Sequence, residues 1–378
     1  MAPLPRGHIP RWPGGYRGRR GPLPGALQRR AQRHRCLSTS PPGGRGSGHR
    51  GSPALAEAGG GDTSRPPRDG AELPQGRALP AAGAQDSLVK PKPTHADLAG
   101  SRHLALQRLA RAQKRATAEL LQLYVLEGFL RRLTRSRHDE RLVLKGGLLL
   151  AAFDLRRATR DVDLLALRTD NDPAFVEQLV IEIASVDVDD GVVFLLDTTT
   201  ANPIRDDDVY PGVRAVLEAR LATARIKLSV DVNVGDPVVP APIRTAVPVL
   251  LGDEPIDVLA YPKSMVVAEK LVTALQRGRA STRWRDFADL FVLVPGDLIE
   301  DEVIEALRAV ASHRGVALKP LAGVLAGMPK EAQARWATWR KRQGAQDRVP
   351  EDFAAVLDAL DERTHAWISK AAKVGGPG

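Results

Sequence analysis

Apolar residues recur every three or four positions between Ser101 and Leu133, the spacing of one face of an α-helix. The recurring side chains on that face are Leu120, Leu121, Tyr124, Val125, Phe129 and Leu133. The pattern predicts an N-terminal helical segment over residues 95–134 that packs on the core of the protein.

Residues 135–260 change to short apolar runs broken by glycine and proline, which predicts an α/β half built on a mixed sheet. The clearest strand is RIKLSVDVNVGD, and GVRAVLEARL just upstream is its predicted hairpin partner. Alternate residues of a strand face opposite sides of the sheet. One side would carry Ile226, Leu228, Val230, Val232 and Val234, and the other would carry Lys227, Ser229, Asp231 and Asn233.

Helical periodicity returns after the proline-punctuated crossing VGDPVVPAPIRTAVPVLL. A helix is predicted for YPKSMVVAEKLVTALQRG, with Pro262 in its first turn and Gly278 just past its end. RWRDFADLFVLV predicts a second helix, and three further helical segments run to about Ala371. The expected fold class is therefore α/β (α+β), with a mixed-sheet half followed by an all-helical half at residues 261–373.

Residues 1–93 lack apolar periodicity and are rich in proline, glycine and arginine, so we predict a disordered tail. A targeting peptide is disfavoured because the segment has no apolar stretch of the required kind. A basic arm that touches RNA is one remaining interpretation. We slightly favour another, in which the tail is out-of-frame translation of GC-rich DNA and Val89 is an alternative start.

The positive charge of the chain is confined to its first hundred residues. Residues 1–100 hold 16 Lys and Arg against 6 Asp and Glu, whereas residues 101–378 hold 39 of each. Net charge therefore says nothing about what the patterned region binds. Local basic segments such as Arg108–Arg115 and Trp339–Gln343 could still form a patch for RNA, although each alone is more typical of a solvated helix face.

The single cysteine, Cys36, lies in the predicted tail. Thiol catalysis, disulfides and cysteine-based zinc sites are therefore excluded for the patterned region. No apolar run approaches the length of a membrane span. We expect a soluble, cytoplasmic α/β protein.

A cluster of charged residues interrupts the apolar segment VLKGGLLLAAFDLRRATRDVDLLAL. A predicted strand ends at Gly146 and Gly147, where glycines and free helix N–H groups would suit a phosphate. Asp161 and Asp163 follow on the next strand with their carboxylates on the same face. Paired carboxylates favour a hard divalent cation, Mg²⁺ or alternatively Mn²⁺.

A third carboxylate would complete a site for two metal ions, and Asp231 lies on the polar face of the predicted strand. Lys227 is on that face too, where its charge could neutralise a triphosphate. Asp236 and Asp257 are alternatives for the third carboxylate. An Asp-x-Asp pair or a Gly-Gly pair alone is more often a solvated edge or a turn, but the ordered combination favours phosphoryl-transfer chemistry.

These motifs resemble the DNA polymerase β-like nucleotidyltransferases and, within them, the AbiEii/AbiGii toxin family. That family typically carries Lys-Gly-Gly, a short helix and Arg-x-Ser/Thr-x-Asp-x-Asp, which is similar to Lys145–Gly147 and Arg157–Asp163 here. AEKLVTALQRG (Ala268–Gly278) and RWRDFADLFVL (Arg283–Leu293) resemble its two helical motifs. The resemblance covers about residues 95–300.

The resemblance implies the toxin half of a type IV toxin–antitoxin pair, with the antitoxin encoded by an adjacent gene. It implies transfer of a nucleotide from an NTP to an acceptor such as the 3′ end of tRNA. By position in the family motif, Asp161 and Asp163 would bind metal and Lys227 would contact the triphosphate; Asp231 as the third metal ligand comes from the strand pattern alone. The positions expected to contact the nucleotide or its phosphates are Lys145, Gly146, Gly147, Thr159, Arg160, Lys270 and Asp286.

Lys270 and Asp286 would either pair or reach the nucleotide. Without the family, simpler interpretations hold: Lys270 extends from a packed helix to water, and Arg285 and Asp289 form a surface pair. Two other functions stay open for the whole protein. One is a catalytically silent module that binds nucleotide or RNA, and the other is a metal-dependent hydrolase that uses the same site.

Overall fold

A seven-stranded mixed sheet forms the centre of the protein. The computed structural model describes residues 92–167, 171–204 and 212–373; the predicted tail lies outside these ranges except for Lys92 and Pro93. The strand order is β3-β4-β5-β2-β1-β7-β6. In chain order the strands are β1 (Leu142–Lys145), β2 (Asp161–Ala166), β3 (Val192–Pro203), β4 (Val213–Leu221), β5 (Ala224–Val234), β6 (Ile243–Val247) and β7 (Ile256–Ala260).

The predicted hairpin is the antiparallel pair β4 and β5, joined by a tight turn at Ala222 and Thr223. Its register runs from Leu221 opposite Ala224 to Val213 opposite Val232. The alternation along β5 follows the prediction, because Leu228 and Val230 are fully buried whereas Lys227 is exposed. Next to the hairpin, β2 runs parallel to β5 and antiparallel to β1.

Four helices belong to the sheet half, and all four contact its strands. Two aspartates cap these helices: Asp97 accepts from the Gly100 N–H before α1, and Asp172 accepts from two N–H groups before α4, where Pro173 starts the helix. The helices are α1 (Leu98–Ala112), α2 (Thr117–Leu133), α3 (Gly146–Leu149), which continues into a 3-10 turn, and α4 (Pro173–Ala184).

The helical half packs around a cluster of aromatic side chains. Phe353 lies 5.0 Å from the Trp336 ring, 5.4 Å from Phe287 and 5.5 Å from Trp284, measured between ring centroids. The helices are α5 (Lys263–Arg277), α6 (Trp284–Leu293), α7 (Glu300–His313), α8 (Leu321–Val324), α9 (Met328–Arg342) and α10 (Phe353–Ala372).

The predicted fold class is confirmed, with two local differences. The proline-punctuated crossing contains β6, and β7 follows it; the sequence pattern predicted neither strand. β6 is a short edge strand whose residues are mostly exposed, so it carries little apolar alternation. The segment after α6 holds four helices, since the four-residue α8 adds to the three expected. All described residues belong to one compact unit, so the boundary near residue 260 stays a prediction. No helix in the described ranges is long and apolar enough to cross a bilayer.

A buried ion pair joins α2 to the loop before β3. The Arg132 guanidinium donates to both Asp190 oxygens, at 2.7 and 3.2 Å, and to the carbonyls of Gly128 and Val192. The two side chains are only 4% and 5% exposed. Removing one member of a buried pair leaves the other charge without compensation.

Arg132→Ala should therefore lower the free energy of unfolding by about 3–5 kcal/mol, measured by urea denaturation. Arg225→Ala is the matched control, because Arg225 pairs with Glu218 at 3.5 Å with side chains 73% and 43% exposed. The control should change stability by less than about 1 kcal/mol. Equal effects of the two substitutions would contradict this interpretation of the pair.

Candidate active site

Three carboxylates converge on one face of the sheet. Asp161 and Asp163 lie on β2, and Asp231 lies directly beside Asp163 on the parallel strand β5. One ligand oxygen from each lies within 4.8 Å of the others. Of the alternatives for the third carboxylate, Asp236 forms an ion pair with Lys145, and Asp257 lies on the more distant strand β7. The group that could hold a metal ion is thus Asp161, Asp163 and Asp231.

The diglycine lets the backbone approach these carboxylates. Gly146 has φ +67°, and a Cβ there would lie 1.9 Å from the Asp163 Oδ2. A Cβ on Gly147 would lie 2.7 Å from the Thr159 Oγ1, and the Gly147 N–H donates to the Asp163 Oδ2 at 3.4 Å. The structure therefore accounts for both glycines by close approach to Asp163 and Thr159. Their contact with a phosphate stays a prediction.

Thr159 orients the first carboxylate of the group. Its side chain is 5% exposed, and its hydroxyl donates to the Asp161 Oδ1 at 2.8 Å. Arg160 next to it is exposed. Its carbonyl and that of Lys227 accept from the Gln122 amide at 3.4 and 3.1 Å, so α2 holds the starts of the two acidic strand segments together.

The carboxylates repel one another in a partly buried setting. Burial, with the charges of Asp161 and Asp231, raises the pKa of Asp163 to about 6. A raised pKa means that the ionised form of Asp163 is unfavourable in the folded protein. Because every ligand atom in the group is a carboxylate oxygen, the residues suit a hard divalent cation, whose charge would relieve the repulsion.

A basic side chain flanks the carboxylates on each side along the sheet. Arg214 lies opposite Asp231, which lies beside Asp163, and Lys145 lies opposite Asp163. Arg214 donates from Nε to the Asp231 Oδ1 at 2.7 Å and from Nη2 to Oδ2 at 2.6 Å. The row across β4, β5, β2 and β1 therefore reads cation, anion, anion, cation.

Lys145 is held by carboxylates of its own. Its Nζ lies 2.7 Å from the Asp236 Oδ2 and 3.8 Å from the Glu269 Oε1 on α5, and it lies over the Tyr261 ring. Burial lowers the pKa of Lys145, but the negative charge of Glu269 raises it by more. The pKa of Lys145 is therefore raised overall, and the ammonium is charged. Lys145, which was predicted to contact a phosphate, therefore pairs with Asp236 and Glu269 and lies opposite Asp163 in the sheet.

Lys227 lies on the same face of β5 as Asp231, four residues earlier, and two residues before Ser229, the register partner of Asp161. It is exposed and lies opposite Glu218. Its contact with a triphosphate stays a prediction. The cation that lies opposite Asp231 is Arg214. That residue was missed by the sequence reasoning, although a two-residue turn in the predicted hairpin would have placed it opposite Asp231.

An ionic network connects the site to the helical half. The Lys270 Nζ lies 2.7 Å from the Asp286 Oδ1 and 2.8 Å from the Asp289 Oδ2, and Arg157 donates to Asp289 at 3.2 Å. Lys270 and Asp286 therefore pair, which was one of the two arrangements expected. Burial raises the pKa of Asp286, but the positive charges of Lys270 and Arg283 lower it by more. The pKa of Asp286 is therefore lowered overall.

The simpler interpretation of Asp289 as half of a surface pair with Arg285 is wrong, because Asp289 is 2% exposed and binds Lys270 and Arg157. Asp289 and Arg157 are members of the network that the sequence analysis did not name as site residues. The signal for Asp289 was its place three residues after Asp286, on the same face of a helix. Arg157 lies two residues before Thr159, so the network ends next to the carboxylates.

The chain is similar in sequence to one family of known proteins. A family model described as "Nucleotidyl transferase AbiEii toxin, Type IV TA system" matches residues 128–361. Two solved structures from Helicobacter pylori are similar at 13% identity: JHP933, with a TM-score of 0.39 over 72% of this chain and 94% of that one, and a candidate nucleotidyltransferase, with a TM-score of 0.38 over 73% and 99%. No curated protein matches significantly.

Gly146→Ala should lower the affinity for Mn²⁺ about 10–100-fold, because the new Cβ would displace the Asp163 carboxylate. Gly344→Ala is the matched control, since Gly344 has φ +59° and no atom within 4 Å of an added Cβ. Both substitutions impose a backbone strain of about 1–2 kcal/mol. Calorimetric titration should find unchanged affinity in the control. Equal affinity in both variants would refute the role of Gly146.

Proposed function

Because this chain belongs to the AbiEii nucleotidyltransferase toxin family of type IV toxin–antitoxin systems, we propose that it transfers a nucleotide from an NTP to the 3′ end of tRNA. The observation that carries the proposal is the convergence of Asp161, Asp163 and Asp231 within 4.8 Å. Phosphoryl transfer depends mainly on the placement of metal ions and cations around the reacting phosphate. This carboxylate group and its flanking cations have that composition.

Asp161, Asp163 and Asp231 would hold Mg²⁺, with Mn²⁺ as a substitute. Bound there, the metal would supply activation of the acceptor hydroxyl and stabilisation of phosphate charge. Thr159 orients Asp161 through its hydroxyl, and the Gly147 N–H orients Asp163. In this proposal Asp231 either completes the metal site or accepts the proton of the hydroxyl.

The remaining predicted residues have roles around the nucleotide. Lys145 would keep a fixed positive charge beside Asp163, since Asp236 and Glu269 hold it in place. Lys270 and Asp286 would join α5 to α6, and Asp289, which Lys270 also binds, would hold Arg157 before the acidic strand. Arg160 and Lys227 are exposed, and the Gln122 amide donates to both of their backbone carbonyls. In this proposal their side chains contact the substrate outside the carboxylate group.

An RNA acceptor is supported by local positive charge. Burial and the nearby charge of Arg115, which itself pairs with Glu119 at 2.6 Å, lower the pKa of Arg348. Arg115 ends one predicted basic segment, and Arg348 follows the Arg340–Arg342 cluster that ends α9. Arg348 also donates to the Arg156 carbonyl at 3.4 Å, next to the loop that carries Thr159. A basic surface beside the site suits a phosphate backbone.

The family implies an antitoxin partner. We propose that this partner is encoded by an adjacent gene and that the active chain works in the cytoplasm, where NTPs and tRNA are available.

Asp163→Ala should abolish the transfer of label from α-³²P NTPs to total tRNA and should abolish growth inhibition. The reason is that the metal site would lose its central ligand, which commonly lowers activity by about 10³-fold or more. Asp189→Ala is the control, because Asp189 is an exposed acidic residue in the loop before β3, outside the carboxylate group. It should retain activity.

The assay also separates the alternative functions. Lengthened, labelled RNA supports transfer, whereas shortened RNA supports a hydrolase at the same site. No change in the RNA, together with no Mg²⁺ binding by calorimetry, supports a silent binding module. Growth inhibition by a folded Asp163→Ala variant would contradict the proposal.

A further inference from the structure

The two cations that flank the carboxylates differ in how they are held. Lys145 is 12% exposed and is fixed by Asp236 and Glu269. The Arg214 side chain is 48% exposed, and within the described ranges its guanidinium is bound by Asp231. Arg214 is therefore the flanking cation that could change partners, provided that another cation then compensates the buried Asp231 carboxylate.

The hydrogen bonds of Arg214 occupy the carboxylate that the metal site needs. Both Asp231 oxygens accept from the guanidinium, at 2.7 and 2.6 Å. Asp161 and Asp163 each have one oxygen bound by Thr159 or by the Gly147 N–H. Asp231 is thus the member of the group with a charged partner on both oxygens. A guanidinium there opposes the approach of a divalent cation, because like charges a few ångströms apart repel.

We propose that Arg214 is an exchangeable counter-ion, which binds Asp231 in the metal-free protein and donates to the phosphate oxygens of the nucleotide when metal occupies the site. This inference rests on the proposed nucleotidyl transfer. Arginine suits both partners, since its planar donors match carboxylate and phosphate groups equally well. Its place on the carboxylate face and its exposure leave the guanidinium open to a ligand.

Other basic residues fit this role less well. Lys145 already has two carboxylate partners and little exposure. Lys227 lies four residues from Asp231 along β5 and opposite Glu218. Arg225 on the same hairpin forms an exposed pair with Glu218 and provides a control in the same sheet.

The test measures two affinities of the full chain with opposite expected signs. The first is for Mn²⁺ alone, by electron paramagnetic resonance. The second is the affinity for an α,β-imido NTP at saturating Mg²⁺, measured by calorimetry. The analogue used is the one of the four that binds most tightly to the unmodified protein. Arg214→Gln should raise the affinity for Mn²⁺ several-fold, because a competing charge is removed. It should lower the affinity for the NTP analogue about 10–100-fold, the usual effect of losing a charge-assisted hydrogen bond.

Two further variants make the result specific. Arg225→Gln should leave both affinities unchanged. Arg214→Lys keeps the charge but loses the paired donors, so Mn²⁺ affinity should stay near that of the unmodified protein while the affinity for the analogue falls by a smaller factor. Thermal melting checks that each variant is folded, and Arg214→Lys decides the matter if Arg214→Gln does not fold.

Two outcomes would overturn the inference alone. If Arg214→Gln weakens Mn²⁺ binding and leaves analogue binding unchanged, Arg214 only holds Asp231 in position. If the unmodified protein binds both ligands and Arg214 variants match it, no exchange takes place. If the unmodified protein binds neither Mn²⁺ nor any analogue, the proposed function fails and this inference fails with it.

Discussion

Mutual repulsion of three carboxylates is the constraint around which this site is organised. Asp161, Asp163 and Asp231 bring ligand oxygens within 4.8 Å, although burial and like charge make ionisation of Asp163 unfavourable. Such a group persists only if the surrounding structure holds it in place. The parallel pairing of β2 with β5 places Asp163 beside Asp231, and the backbone of Gly146 packs closely against the Asp163 carboxylate. Cations on the two neighbouring strands offset part of the charge, and a divalent ion would offset the remainder.

The same charges link the sheet half to the helical half. Glu269 on α5 lies 3.8 Å from Lys145, and Lys270 beside it binds Asp286 and Asp289. Arg157 reaches Asp289 from the loop that leads to Thr159 and the carboxylates. Adjacent residues of one helix therefore contact Lys145 and, through Asp289, the loop that precedes Asp161. A substitution of Lys270 or Asp289 would therefore disturb the loop that leads to Thr159, which orients Asp161.

Much of the site follows from local sequence rules. The spacing of Asp161 and Asp163 places both on one face of a strand, and the alternation along β5 places Asp231 on its polar face. The pairing of β2 with β5 is not local: 57 residues lie between the end of β2 and the start of β5, and only packing of the whole chain sets their register. Arg214 was missed for a different reason, since its place opposite Asp231 depends on the length of the turn between β4 and β5. The burial of Asp289 could not be predicted from the sequence either, because an Arg and an Asp four residues apart on a helix usually lie on an exposed face. The edge strand β6 was missed because its exposed residues carry little apolar alternation.

Anomalous diffraction from crystals grown with Mn²⁺ tests the central claim most directly. The account predicts an anomalous peak bounded by oxygens of Asp161, Asp163 and Asp231 at about 2.0–2.6 Å, the range of carboxylate–cation distances. Peaks confined to another acidic segment, such as the loop at Asp187–Asp190, or the absence of any peak at saturating Mn²⁺, would contradict it.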